Sequence, residues 1–168
     1  MKTTFDVENE EAPDNLSVLF SDLVDNPDFD TQHWAGELLA RLGSKVLPQL
    51  NILLGSSNKI IRMEALKVIK LIGHRSSIPS CIASLEDSES EIRLIATEAL
   101  ILIGRECISP LLRRLAEKPT SSHLNIASHR VFAALITLDD PKNLHHLVFL
   151  LKHVADDTVT VFLEPAIA

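Results

Sequence analysis

The sequence predicts an all-α fold, a right-handed α-α superhelix (an α-solenoid) of about four helix pairs with a capping helix at each end. Three observations carry this expectation. Residues 60–79, IIRMEALKVIKLIGHRSSIP, return 31 positions later as EIRLIATEALILIGRECISP at 91–110. Within each copy the apolar residues recur at helical spacing and are followed by Gly and then Pro at matching places. The composition agrees: Leu, Ile and Ala dominate, while six Phe, one Trp, no Tyr and five Gly supply little for a β-sandwich and its tight turns. At 168 residues with 46% hydrophobic content, the chain is long enough to bury a sizeable core.

Residues 1–14 read as an acidic, flexible leader. Residues 1–30 hold nine Asp or Glu against the single Lys2, a local balance of −8, and the other 138 residues sum to about +1. Such an arm repels nucleic acid or visits a basic surface, although a solvated leader is the plainer reading. Residues 15–168 read as one repeat domain. NLSVLFSDLVD, residues 15–25, resembles an unpaired second helix and serves as the first cap.

The units follow at 26–55, 56–86, 87–121 and 122–153. The central match places Arg62 on Arg93, Ala65 on Ala96, Ile69 on Leu100, Ile72 on Ile103, Gly73 on Gly104 and Pro79 on Pro110. The first unit is a fainter copy through Ala35, Leu39, Leu42, Gly43 and Pro48. The fourth needs about four extra loop residues in KPTSSHLN, with Asp139 in the place of the Gly and His145 in that of the Pro. DDTVTVFLEPAIA then starts a fifth unit that stops short, a second cap at 154–168. A period of about 20–50 residues signals units that bury their apolar faces only by stacking.

Each unit divides into two helices. Ile61, Ala65, Val68, Ile69 and Ile72 keep one stripe, and Gly73 supplies a left-handed helix stop. Pro79 suits the first turn of a second helix that buries Ile78, Ile82 and Leu85. Ser88 with Glu91 three residues on has the spacing of a capping box.

This pattern, carried by Ile92-Arg93, Ala96, Ala99-Leu100, Ile103-Gly104, Ile108 and Pro110, resembles HEAT-like repeats, in particular the short type of the phycobilisome (bilin) lyases. The resemblance spans residues 26–153. It implies a ladder of Asp and Arg side chains between units, for which Asp87 and Arg93 fit. The other units depart from it with Ser56 and Arg62, Asn26 and Gln32, and no Arg in the fourth. Arg62 and Arg93 are expected to be structural.

No catalytic constellation emerges. Cys81 and Cys107 stand 26 apart without a partner motif and read as small buried hydrophobes. His146 and His153 in HHLVFLLKH lie seven apart, roughly 10 Å along a helix, too far to share a metal. The deoxyhypusine hydroxylases use this repeat type with iron-holding His-Glu dipeptides, and none occurs here. HEAT-like repair glycosylases need a basic, aromatic-lined surface, whereas this chain has net charge −7 and only Trp34. No nucleophile elbow or P-loop is present. Neither a cofactor nor a metal is expected.

No stretch approaches the roughly 18 apolar residues of a membrane span, so a cytoplasmic protein without membrane contact is expected. The partner is then another protein, not nucleic acid. In solenoids of this family the second helices line the concave face. Carrying the outward positions of the second helix along at the repeat offset gives two columns, Gln49, Ser80, Leu111, His146 and Ile52, Ala83, Arg114, Phe149. Small, apolar and cationic residues in that mixture suit a peptide or partner helix. Lys67, Lys70 and His74 form a basic stripe on the first helices that reads as a solvated face. The function expected is a non-catalytic scaffold or adaptor; the alternative implied by the resemblance is a bilin lyase or phycobilisome-directed chaperone.

Overall fold

The computed structural model describes residues 14–137, which form eight α-helices and three short 3-10 turns with no strand among them. Residues 1–13 of the expected leader, the expected second helix of the fourth unit with His146 and Phe149, and the second cap lie outside the described residues, while Asp14, counted with the leader, opens the first helix. Helix α1 spans Asp14–Asp25 and α2 Phe29–Arg41. In each of the first three units a long helix, α2 in the first, is followed by a shorter one. The other long helices are α4 (Lys59–Ile72), α6 (Ser90–Ile103) and, in the fourth unit, α8 (Ser122–Thr137). The shorter ones are α3 (Leu47–Leu53), α5 (Ile78–Ser84) and α7 (Ile108–Glu117).

The long helices stack in sequence, α2 on α4, α4 on α6 and α6 on α8, while each short helix packs against the long helix that follows it. One stripe per helix therefore cannot suffice, since a central long helix has neighbours on both flanks. In α4 the buried set is accordingly Ala65, Leu66, Val68 and Ile69, with Ile61 and Ile72 only partly covered. Leu66 joins the expected stripe because α2 and α6 embrace α4 from two sides. Leu66, Val68 and Ile69 each contribute roughly 1.5–3 kcal/mol by leaving water. Helix α1 closes one edge, lodging Leu23 against α2 and leaving Leu23 1% exposed.

Local chemistry ends and starts the helices. Gly73 takes φ 58° and its N–H returns to the Ile69 carbonyl, a left-handed stop that an L side chain would strain. Pro48 and Pro79 occupy the first turns of α3 and α5, where no N–H is needed. Asp28 caps α2 by accepting from the Thr31 N–H at 3.0 Å, and Asn58 caps α4 through the Ile60 N–H at 2.9 Å.

Two local expectations change. Ser88 and Glu91 do not form a capping box. The carboxylate of Asp87, a stronger acceptor, takes the Glu89 N–H at 2.9 Å, and Ser88 Oγ turns to Asp87 instead. The extra length ahead of the fourth unit is also not all loop. Ser121 Oγ accepts from the Leu124 N–H and the chain is helical from Ser122, so part of KPTSSHLN lengthens α8 to 16 residues against 14 in α6.

The units are tied by charge as well as by packing. Arg62 donates from Nε and Nη2 to the two oxygens of Asp87 in the next unit, both at 2.9 Å, while its Nη1 donates to the Ser56 and Ser57 carbonyls. Arg93 repeats the second half of this arrangement, its Nη1 donating to the Asp87 and Ser88 carbonyls at 2.7 and 2.8 Å. The planar guanidinium suits both tasks, because its fork meets a carboxylate edge-on while a further N–H stays available.

Candidate functional site

The second helices present the candidate surface, and the register of α7 decides which residues reach it. From α4 to α6 the helices repeat at 31, Lys59 to Ser90 and Ile72 to Ile103. The turns that follow differ. Gly73 and His74 precede the 3-10 turn Arg75–Ser77, whereas Gly104 alone precedes Arg105–Cys107. One residue is missing, so α7 repeats α5 at 30: Ile78 on Ile108, Cys81 on Leu111, Ile82 on Leu112 and Leu85 on Leu115, all buried.

Leu111, expected on the partner face, is therefore a core residue with no exposed surface. A shift of one residue turns a helix by about 100°, enough to carry a side chain from face to core. The match of Pro79 with Pro110 misled, since proline fits more than one first-turn position. The apolar frame of 78, 82 and 85 against 108, 112 and 115 held the correct register. In that register the columns run Gln49, Ser80, Pro110 and Ile52, Ala83, Arg113. Arg113, which the sequence reading passed over, is exposed.

The expected residues are dispersed in role. Gln49 and Ala83 are exposed, and Ile52 stands 71% exposed. Ser80 Oγ donates to Asn51 Oδ1 at 2.7 Å, a bond that links α3 to α5 across the surface. Beside it an open groove of about 280 Å³ is lined by Asn51, Leu54, Gly55, Ser80, Ala83 and Asp87, among others. Arg114 stands in the Ser84 column and turns sideways to Glu86, its Nη2 donating to Glu86 Oε2 at 2.8 Å.

Glu86 is a hub that sequence spacing did not reveal. Besides Arg114 it accepts from Lys118 Nζ at 3.1 and 3.2 Å and from Ser121 Oγ at 3.2 Å, three donors from beyond the following helix. Burial works against its ionisation, but the hydrogen bonds from Lys118 and Arg114 together outweigh burial and hold its carboxyl below the usual range. Asp87 behaves alike: burial opposes its charge, and Arg62 with the Glu89 N–H prevails.

Elsewhere the chemistry is quiet. Burial pushes the Cys81 thiol up to about 11 and the Cys107 thiol up to about 12, so neither is a thiolate at neutral pH. Both are free and buried, as expected of small hydrophobes. Among the described residues no group of three or more His, Cys, Asp or Glu is placed to hold a metal, and no helix is long and apolar enough to cross a membrane. The basic stripe is partly neutralised, with Lys67 on Glu64 and Lys70 on Glu98, each at 2.8 Å.

Comparison with known proteins adds a family. No curated protein matches the chain. Two overlapping stretches, residues 16–100 and 47–129, match HEAT repeats and together cover more than half of the sequence. Those stretches contain the helix pairs, the glycine stops and the stacked long helices described above, and the chain belongs to the HEAT-repeat family.

Proposed function

We propose that this protein is a non-catalytic scaffold that takes a partner helix or extended peptide across α3, α5 and α7. The observation that carries the reading is Ile52, a large aliphatic side chain left 71% exposed on α3, where its chain neighbour Asn51 lines the groove with Ser80 and Ala83. An isolated exposed apolar residue means little, but one adjoining a concavity and small neighbours has the form of an anchor site. Gln49, Ser80 and Asn51 offer polar partners along the rim, and Arg113 offers a cation at the far end. Helices pack roughly 8–10 Å apart, so Ile52 to Arg113 spans about 20 Å. A partner helix of about 13 residues, apolar at one end and acidic at the other, matches that length.

The test compares capture by the wild-type chain with capture by an Ile52→Asp, Ala83→Glu variant whose circular dichroism is unchanged. Loss of the same partner from the variant supports the face; equal capture refutes it. No observation favours the bilin-directed reading. A coloured covalent adduct formed from a phycobilin, an apo-phycobiliprotein and this protein would overturn the non-catalytic one.

A further inference from the structure

We infer that the groove between α6 and α8 is a second binding site, one that takes an aspartate or glutamate side chain of a partner peptide in place of a missing rung of the inter-unit ladder. Arg62 shows what a filled rung looks like. One part of its guanidinium holds the Ser56 and Ser57 carbonyls of the loop before α4, and the remaining edge is met by both oxygens of Asp87, which stands three residues before α6. Arg93 grips its own loop in the same way, through the Asp87 and Ser88 carbonyls.

Among the described residues nothing completes the second rung. Pro119 stands three residues before α8 where Asp87 stands before α6, and Lys118 to Ser121 contains no acid. Lys118 and Ser121 are instead committed to Glu86, and Glu117 lies against Arg114. Among the described residues no carboxylate pairs with Arg93 or with Arg130.

In place of the carboxylate there is space. A groove of about 230 Å³ lies between the two helices, lined by Arg93, His123 and Arg130 together with Thr97, Leu94 and Ile126, and no acidic side chain lines it. Two permanent cations thus line one cleft whose walls carry no anion, an incoming carboxylate would supply one, and the arginine fork favours a two-oxygen acceptor. Leu94 and Ile126 are large apolar residues exposed at its wall. They select a carboxylate carried on a chain with an aliphatic neighbour over a small free anion. This site is separate from the α3, α5 and α7 face, so either can fail without the other.

The experiment uses the full chain labelled with nitrogen-15 and titrated with the capped peptide acetyl-Ala-Leu-Asp-Leu-Ala-amide, followed through the amides of residues 90–97 and 123–130. Saturable shifts confined to those residues are expected, with binding about tenfold weaker for the Asn counterpart of the peptide and about tenfold weaker again for Arg130→Gln. Arg130 is exposed, so its replacement leaves the fold intact, whereas Arg93→Gln also frees the Asp87 and Ser88 carbonyls. Ile52→Asp leaves this binding unchanged. Four results overturn the proposal: no saturable shifts, equal binding of the Asp and Asn peptides, indifference to Arg130→Gln, or shifts from inorganic phosphate equal to those from the peptide. Tighter binding by a peptide of residues 1–13 also overturns it, by assigning the groove to the chain's own acidic leader.

Discussion

Leu111 and Ile52 were expected on one surface, and the structure separates them so sharply that a pair of truncations tests the whole assignment. Leu111 has no exposed surface and sits in the column of Cys81, inside the layer between the short and long helices. Leu111→Ala removes buried aliphatic volume that its neighbours refill only in part, a change that costs about 2–5 kcal/mol. Ile52 retains less than a third of its surface in contact with the protein. If full burial of such a side chain contributes roughly 1.5–3 kcal/mol, Ile52→Ala costs well under about 1 kcal/mol.

The assay is urea unfolding followed by helical circular dichroism and by fluorescence of Trp34, the only tryptophan, which lies on α2. Coincident transitions license the free-energy comparison, and a midpoint shift at constant slope reports stability alone. The expected result is a large shift for Leu111→Ala and almost none for Ile52→Ala. Comparable shifts, or the reverse order, would mean that α7 keeps the register of α5 at an offset of 31, and the candidate face would have to be redrawn.

Four further outcomes are expected, each from a single feature. Gly36→Ala stabilises by roughly 0.5–1 kcal/mol, because a Cβ there meets Val68 and Leu23 at ordinary contact distances of 3.4 and 3.5 Å while the unfolded chain loses freedom; thermal melting of the variant reads it. Gly104→Ala destabilises instead, since φ 84° is strained for any L side chain, and the two variants should move the melting midpoint in opposite directions. Asp87 and Glu86 have folded pKa values below their ordinary ones, so the stability they supply is complete above the unfolded carboxylate range of about 4 and is lost as pH falls through the lower folded values. Asp87→Asn should therefore weaken the protein at neutral pH and flatten the acid limb of its stability curve; an unaltered limb contradicts the Arg62 pairing. Finally, a disulfide reagent at pH 7.5 should label neither Cys81 nor Cys107 until denaturant is added, and rapid native labelling of either would show that the core opens there.

Much of the architecture was legible because it is written locally. The spacing of Ala65, Val68 and Ile69, the stop at Gly73 and the prolines at 48 and 79 each act within a turn or two of helix, and the structure uses each as read. Arg62 and Arg93 were legible as structural residues through the resemblance, although the partner of Arg62 proved to be Asp87 of the following unit. The binding face was less legible. Its columns depend on counting residues through the turn after Gly104, and Arg113 appears only when the apolar frame, not the proline, sets the count.

The amino-acid sequence by itself determined that this chain forms repeated helix pairs, because apolar periodicity and helix-ending residues act through the nearest few neighbours. Only the tertiary structure decided that Leu111 is core, that Glu86 gathers Arg114, Lys118 and Ser121, and that Arg93 and Arg130 line one cleft whose walls carry no acid. Those facts join residues roughly 30 to 40 positions apart, where one residue lost from a turn rotates the next helix by about 100° and changes every partner it meets.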